Sequence, residues 1–189
     1  YYDDLSGAPL DPRGVARARQ EEMAEYNRHG VYEKVPIQQC WERTGKPPTG
    51  VRWVDVNKGD EENPEYRSRL VAKEIKRGAS DDMFAATPPL EAKKSLFSMA
   101  MSQFARGRAQ SMHGTQKLLY IDVRRAYFYA PARRPVYVTL PDEDAEEGMC
   151  GKLNRSMYGT KDAGRGFWLK LKEVVIDQGY ELNKILPTM

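Results

Sequence analysis

Asp122 closes the apolar run Leu118-Leu-Tyr-Ile121, and a carboxylate delivered at the end of a short buried strand can face a cleft. The same position also suits a turn former. A second set of candidates is cationic. Side chains of an extended segment alternate with period two, so Arg67 and Arg69 share one face of the stretch Tyr66 to Lys73. Lys73 joins them if the strand stays regular, and Lys76 and Arg77 lengthen the patch. Paired guanidinium groups can grip phosphate oxygens two at a time, while a solvated basic face would show the same pattern. Gly159, in Met157-Tyr-Gly-Thr-Lys161, marks a helix-entry turn with Lys161 beside it.

Other groups that could do chemistry are poorly placed. Cys40 and Cys150 are far apart, as are His29 and His113, and none falls in metal-ligand spacing, so neither a zinc site nor a disulfide framework is expected. Two acidic pairs, Asp3-Asp4 and Asp81-Asp82, lack a preceding apolar strand and read as loop residues.

The elements that must position these groups follow from patterning. Asp11-Pro-Arg13 is an N-cap followed by proline at the first helical position, and Val15, Met23 and Tyr26 fall near one helical face before Gly30 stops it. Val51 to Val56 and Tyr66 to Lys73 read as the two strands of a hairpin with a charged tip. Thr87-Pro-Pro89 opens a helix whose Leu96, Phe97, Ala100, Met101 and Phe104 form a core-facing stripe. Val136 to Leu140 is a strand closed by Pro141. An acidic turn follows it, and the last helix carries Phe167, Leu171, Val174 and Val175 on one side and ends at Gly179.

Composition sets the outer bounds. At 189 residues, 40% hydrophobic and 30% charged, the chain can bury a core and is not a disordered tail. Thirty Lys and Arg against 27 Asp and Glu leave a net charge of only +3, so any nucleic-acid argument rests on local clustering. No apolar run approaches the roughly 18 residues of a membrane span, which predicts an intracellular protein without membrane contact. The start at Tyr1 rather than methionine suggests an excerpt of a longer polypeptide.

Four blocks in fixed order then carry a family resemblance. Arg67-Ser-Arg-Leu-Val-Ala-Lys73 resembles the Lys-Ala-Arg-Leu-Val-Ala-Lys block of copia-type retrotransposon reverse transcriptases, and Asp122-Val-Arg-Arg-Ala-Tyr-Phe128 resembles their Asp-Val-Lys-Thr-Ala-Phe block. Val136-Tyr-Val-Thr-Leu-Pro141 is similar to the stretch ending in Pro that follows. Met157-Tyr-Gly-Thr-Lys161, with Ala163 and Arg165, resembles the Leu-Tyr-Gly-Leu-Lys-Gln-Ala-Pro-Arg block, and Trp53 upstream also fits. The chain departs from the pattern at Gly164, where Pro is usual, and at Phe167, where Trp is expected and Trp168 comes one residue later.

The resemblance implies an α+β fold, with reverse-transcriptase-like fingers and a partial palm whose central, mostly antiparallel sheet is flanked by helices and bears Asp122. It divides the chain into an N-terminal helical extension (1–48), the fingers hairpin and following helix (49–116), and a partial palm with inserted fingers strands (117–189). The implied activity is RNA-directed DNA polymerisation on an RNA template and a DNA primer, with deoxynucleoside triphosphates as substrates and Mg²⁺ or Mn²⁺ as cofactor. Asp122 would be the catalytic metal ligand, joined by the carbonyl of Val123. Arg67, Arg69, Lys73, Gly159 and Lys161 would hold the triphosphate, Tyr127 would exclude a 2′-hydroxyl, and Lys76 and Arg77 would contact the template backbone. Two further aspartates of a Tyr-x-Asp-Asp hairpin are expected beyond Met189, in the remainder of a polyprotein with the missing palm, so the fragment itself is expected to be inactive. Tyr1-Tyr-Asp-Asp4 spells those letters upstream of every other block and reads as a decoy. The alternative is a degenerate or domesticated remnant that binds RNA or a protein without catalysis.

Overall fold

The computed structural model describes residues 1–74, 89–105, 119 and 121–181. The first helix, α1 (Pro12–His29), begins where the Asp11 carboxylate accepts the Gly14 amide at 2.8 Å and Pro12 takes a position whose N–H would lack a partner anyway. It stops at Gly30, left-handed at φ 56°, whose amide returns to the Asn27 carbonyl at 3.1 Å. Then follow β1 (Tyr32–Pro36), α2 (Ile37–Thr44), β2 (Val51–Asn57), β3 (Tyr66–Ala72), α3 (Leu90–Ala105), a 3₁₀ turn (Ala126–Tyr129), β4 (Tyr137–Val138), β5 (Met149–Leu153) and α4 (Ala163–Asp177). Helices alternate with antiparallel sheets, which makes the class α+β.

Two compact units divide the chain: Tyr1–Phe84 with Arg125–Leu171, and Ala85–Arg124 with Lys172–Met189. The first unit holds both sheets. One is the β2–β3 hairpin, in register Val54 to Arg69 and Val56 to Arg67; the other has the order β1-β5-β4, both pairs antiparallel. On β3 the alternation is strict, with Ser68, Leu70 and Ala72 buried and Arg67 and Arg69 exposed. The main core gathers Tyr26, Leu70, Phe128, Val138 and Met157, and the Tyr26 hydroxyl donates to the Leu70 carbonyl at 2.9 Å, fastening α1 to the hairpin. A smaller core joins Val35, Tyr137 and the two free cysteines, Cys40 and Cys150.

The first residues pack as a structural strap. Asn57 donates its amide to Asp3 at 2.6 Å, Asp55 donates its amide to the Asp4 carboxylate at 2.9 Å, and the Asp4 amide donates to the Asp55 carbonyl at 2.9 Å. Asp3 also accepts the amides of Leu5 and Ser6 at 2.7 and 2.8 Å. Tyr1-Tyr-Asp-Asp4 thus spends its carboxylates on backbone amides and, at Asp4, on Arg52 at 2.9 Å. These amides, Asn57 first, then Ser6 and Leu5, pull the Asp3 carboxyl down from 3.8 to about 2. The unfolded chain therefore takes up its proton first as pH falls, and the stabilisation from Asp3, whole above pH 4 or so, disappears as pH falls through about 2. Urea midpoints measured between pH 5 and 2 should drop more steeply for the native chain than for Asp3→Asn.

Two expectations are corrected in the second unit. Residues 121–123 form no strand, and Leu119 and Ile121 are each 65% exposed, so Asp122 stands on neither sheet. An apolar run becomes a strand only where a neighbour pairs its amides and carbonyls, and no described strand pairs with this one. On α3, Ala100 is buried while Leu96, Phe97 and Met101 are exposed. Periodicity marks a face that needs cover without supplying the cover. Helix α4 ends as expected at Gly179, φ 83°, whose amide returns to Ile176 at 2.8 Å.

Candidate functional site

Construction of the hairpin face begins with what holds it down. Asp55 and Ser68 point inward from facing positions of β2 and β3, and the Ser68 hydroxyl donates to Asp55 at 2.7 Å. Arg19 of α1 clasps the same carboxylate with two nitrogens, at 2.6 and 3.3 Å, and reaches Glu143 at 3.2 Å. Glu143 also accepts the Trp53 indole N–H at 3.0 Å, and the Arg19 guanidinium lies 5.0 Å from the Trp53 ring. Trp53 therefore serves as a wall of this clasp. With one side of the hairpin tied to α1, its other side presents Arg67 and Arg69 to solvent.

One arginine, Arg125, is paired with a buried acid of α1. Glu22 of α1 is 4% exposed and accepts Arg125 Nε at 3.0 Å, while its Oε1 has no partner among the described residues. Burial pushes its carboxyl up, and Arg125, Arg69 and Arg67 oppose that push. Arg125 is the one described non-glycine residue at positive φ, 50°, a conformation that costs about 1 kcal/mol and is held here by Glu22 and, at 3.8 Å, Glu25. That twist opens the 3₁₀ turn. Tyr127 leaves the turn to meet Tyr158 edge to face at 5.1 Å and Phe167 at 6.3 Å, while Phe128 turns into the core against Tyr26 at 4.7 Å. The Tyr158 ring also lies 5.4 Å from the Arg69 guanidinium, so it bridges the hairpin and Tyr127.

Gly159 seals the same junction. Its φ is 81°, and a β-carbon there would stand 2.1 Å from the Ala72 carbonyl oxygen and 2.6 Å from Val71 Cγ1. Tyr158 accepts the Ala72 amide at 2.8 Å, so this turn completes the end of β3. Next to it, Glu74 accepts the Lys161 amide at 2.9 Å and pairs with Arg134, which also reaches Asp162 at 3.0 Å. Burial raises the Glu74 carboxyl, but Arg134 and the Lys161 amide outweigh it and hold the group below the usual range. Lys73 falls one residue beyond β3, with its aliphatic chain over Gly50.

Arg69, Tyr127 and Gly159 are thus drawn around Tyr158 in the first unit, and Arg67 shares the exposed face of β3 with Arg69. Asp122 and Val123 belong to the second unit, where Asp122 is exposed in irregular backbone. Lys76 and Arg77 lie outside the described residues. Glu22, Arg19, Asp55, Glu74, Arg125 and Arg134 escaped the reading of the sequence. Asp55 and Ser68 carried a signal, since each is polar at an inward position of an alternating strand. The partners on α1 carried none, because Glu22 and Arg125 are separated by 103 residues.

Residues 40–189 match the family model described as reverse transcriptase (RNA-dependent DNA polymerase). The chain belongs to the reverse transcriptase family. Its copia-type character is supported by two relatives encoded by plant transposons. This reverse transcriptase region is 28% identical over 174 residues to the retrovirus-related Pol polyprotein from transposon TNT 1-94 of Nicotiana tabacum, covering 88% of the chain and 12% of the polyprotein. It is 23% identical over 195 residues to the corresponding polyprotein from transposon RE1 of Arabidopsis thaliana, covering 96% of the chain and again 12% of the relative. The chain therefore spans about an eighth of the length of these relatives. No solved structure matches it. Among the described residues no helix is long and apolar enough to cross a membrane.

Proposed function

We propose that this reverse transcriptase region supplies the fingers and part of the palm of an RNA-directed DNA polymerase in which a primer 3′-hydroxyl attacks a deoxynucleoside triphosphate. The observation that supports the reading best is the exposed face of β3 that carries Arg67 and Arg69, with the Arg69 guanidinium 5.4 Å from the Tyr158 ring beside the Gly159 turn. In the displacement the new P–O bond forms to the 3′-oxygen as the bond to pyrophosphate breaks, and negative charge gathers on the phosphoryl oxygens. Arg67 and Arg69 are suited to that charge, since guanidinium forks hold phosphate bidentately, and Lys73 and Lys161 would add to the field. The edge-to-face packing of Tyr127 on Tyr158 gives it a fixed ring, as exclusion of a 2′-hydroxyl requires. Lys76 and Arg77 would add template contacts that carry no sequence information.

The Asp122 carboxylate and the Val123 carbonyl are hard oxygen donors, a chemistry that fits Mg²⁺ or Mn²⁺. Among the described residues no group of three His, Cys, Asp or Glu could hold a metal ion, so these two donors do not complete a site. When bound, the ion would neutralise charge on the transferring phosphoryl group. Polymerisation is accordingly a property proposed for the longer polyprotein, with the present residues supplying grip on the triphosphate and one carboxylate ligand.

Steady-state primer extension by the parent polyprotein tests the hairpin. Arg67→Gln with Arg69→Gln should raise the KM for deoxynucleotide by about 30-fold or more, because hydrogen bonds from a guanidinium to phosphate contribute about 2 kcal/mol. An unchanged KM would reject the triphosphate role.

A further inference from the structure

Away from the hairpin face, α2, β4 with the segment before it, and β5 line an open cavity of about 510 Å³. Gln39 and Arg43 reach it from positions i and i+4 of α2, Arg133 and Arg134 from the segment entering β4, and Lys152 from β5. Among the described residues no carboxylate lines it. In a chain whose net charge is only +3, four cationic side chains around one hollow are a local concentration rather than a reflection of composition.

Two of these charges are already matched. Lys152 pairs with Glu33 at 2.7 Å, and Arg134 with Glu74 and Asp162. Among the described residues Arg43 and Arg133 have no acidic partner, and both are exposed. The hydrogen bond to Glu33 raises the Lys152 ammonium above its ordinary value, and Arg43 only partly opposes it. The charge left unmatched is that of Arg43 and Arg133, which an anion in the hollow would neutralise. The wall offers no ring for base stacking, because Tyr137 is 4% exposed. What remains is recognition of phosphate by forked donors, spread over three elements in the manner of a surface that tracks a backbone rather than reads bases.

We propose that the cavity between α2 and the β4–β5 edge is a second phosphate-binding surface, with Arg43 and Arg133 as its principal donors, that takes the backbone of a single-stranded nucleic acid. The choice of nucleic acid among polyanions rests on the polymerase reading; the anion site itself does not. Each phosphate neutralised on a single strand releases counterions, so binding should weaken linearly in log salt with a slope of about −0.7 per phosphate.

The test uses the full chain, a fluorescein-labelled 16-nucleotide RNA of mixed sequence, and anisotropy titrations at several salt concentrations. Arg43→Gln with Arg133→Gln should lower affinity about tenfold and reduce the salt slope by about 1.4, while Arg43→Lys with Arg133→Lys keeps the slope. Thermal melts of both variants verify that they fold. Unchanged affinity and slope in a folded Gln variant would overturn the site. Binding of heparin that depends on both arginines, without matching dependence for RNA, would overturn the nucleic-acid assignment. Because deoxynucleotide KM at the hairpin is a separate readout, either idea can fail alone.

Discussion

Replacing Asp122 by Asn in the parent polyprotein is expected to lower primer extension on a homopolymer template about a thousandfold, equivalent to about 4 kcal/mol of transition-state stabilisation. Asparagine preserves size and keeps one oxygen acceptor, so the change isolates charge. The side chain is exposed and makes no hydrogen bond or ion pair with another described residue, and an unchanged thermal melt of the variant is expected to separate loss of rate from loss of folding. The effect should appear in kcat, because a metal ligand acts on charge that develops during displacement, and deoxynucleotide KM should move much less. Near-native incorporation by Asp122→Asn would remove the carboxylate from the mechanism.

Gly159→Ala is expected to be the most damaging single methyl group in the first unit. Two costs combine: a left-handed conformation at φ 81°, and a β-carbon 2.1 Å from the Ala72 carbonyl oxygen. The obstacle is backbone rather than the tip of a flexible side chain, so relief requires moving the turn away from β3 and losing the bond from the Ala72 amide to the Tyr158 carbonyl. A loss of about 3 kcal/mol follows from the conformational and overpacking terms together. Urea unfolding of the chain gives the number directly. Gly179→Ala is an informative control, since it shares the positive φ, 83°, but meets open space. If the two variants were equally stable, the close approach to β3 would be wrong.

Local rules make part of this structure legible. Helix α1 is readable because its start and stop are set by residues adjacent in sequence, Asp11 with Pro12 and then Gly30, and the hairpin because alternation needs only one strand's length to show. Long-range pairing leaves no such trace. Cys40 and Cys150 look isolated along the chain, yet β1 pairs with β5 and brings Val35 opposite Cys150, so both thiols enter one small core. The same limit bears on the apolar run before Asp122, where Leu119 and Ile121 are exposed and Leu118 and Tyr120 lie outside the described residues: apolar character predicts burial but cannot say which strand would pair with the run. At the candidate site, Arg67, Arg69 and Gly159 are recognisable from their blocks. Glu22, the buried acid that pairs with Arg125, lies on a helix that none of those blocks includes.

The strap formed by Asp3 and Asp4 has a consequence for solubility. A two-stranded hairpin has bare edges, and an unpaired row of amides and carbonyls invites a strand from another molecule. Along the outer margin of β2, Asp55 and Asn57 give their amides to the strap and Val51 gives its amide to the Thr139 hydroxyl at 3.1 Å. The strap thereby occupies the positions a second copy would use to begin an aggregate, and removing Tyr1 to Leu10 would hand that template back.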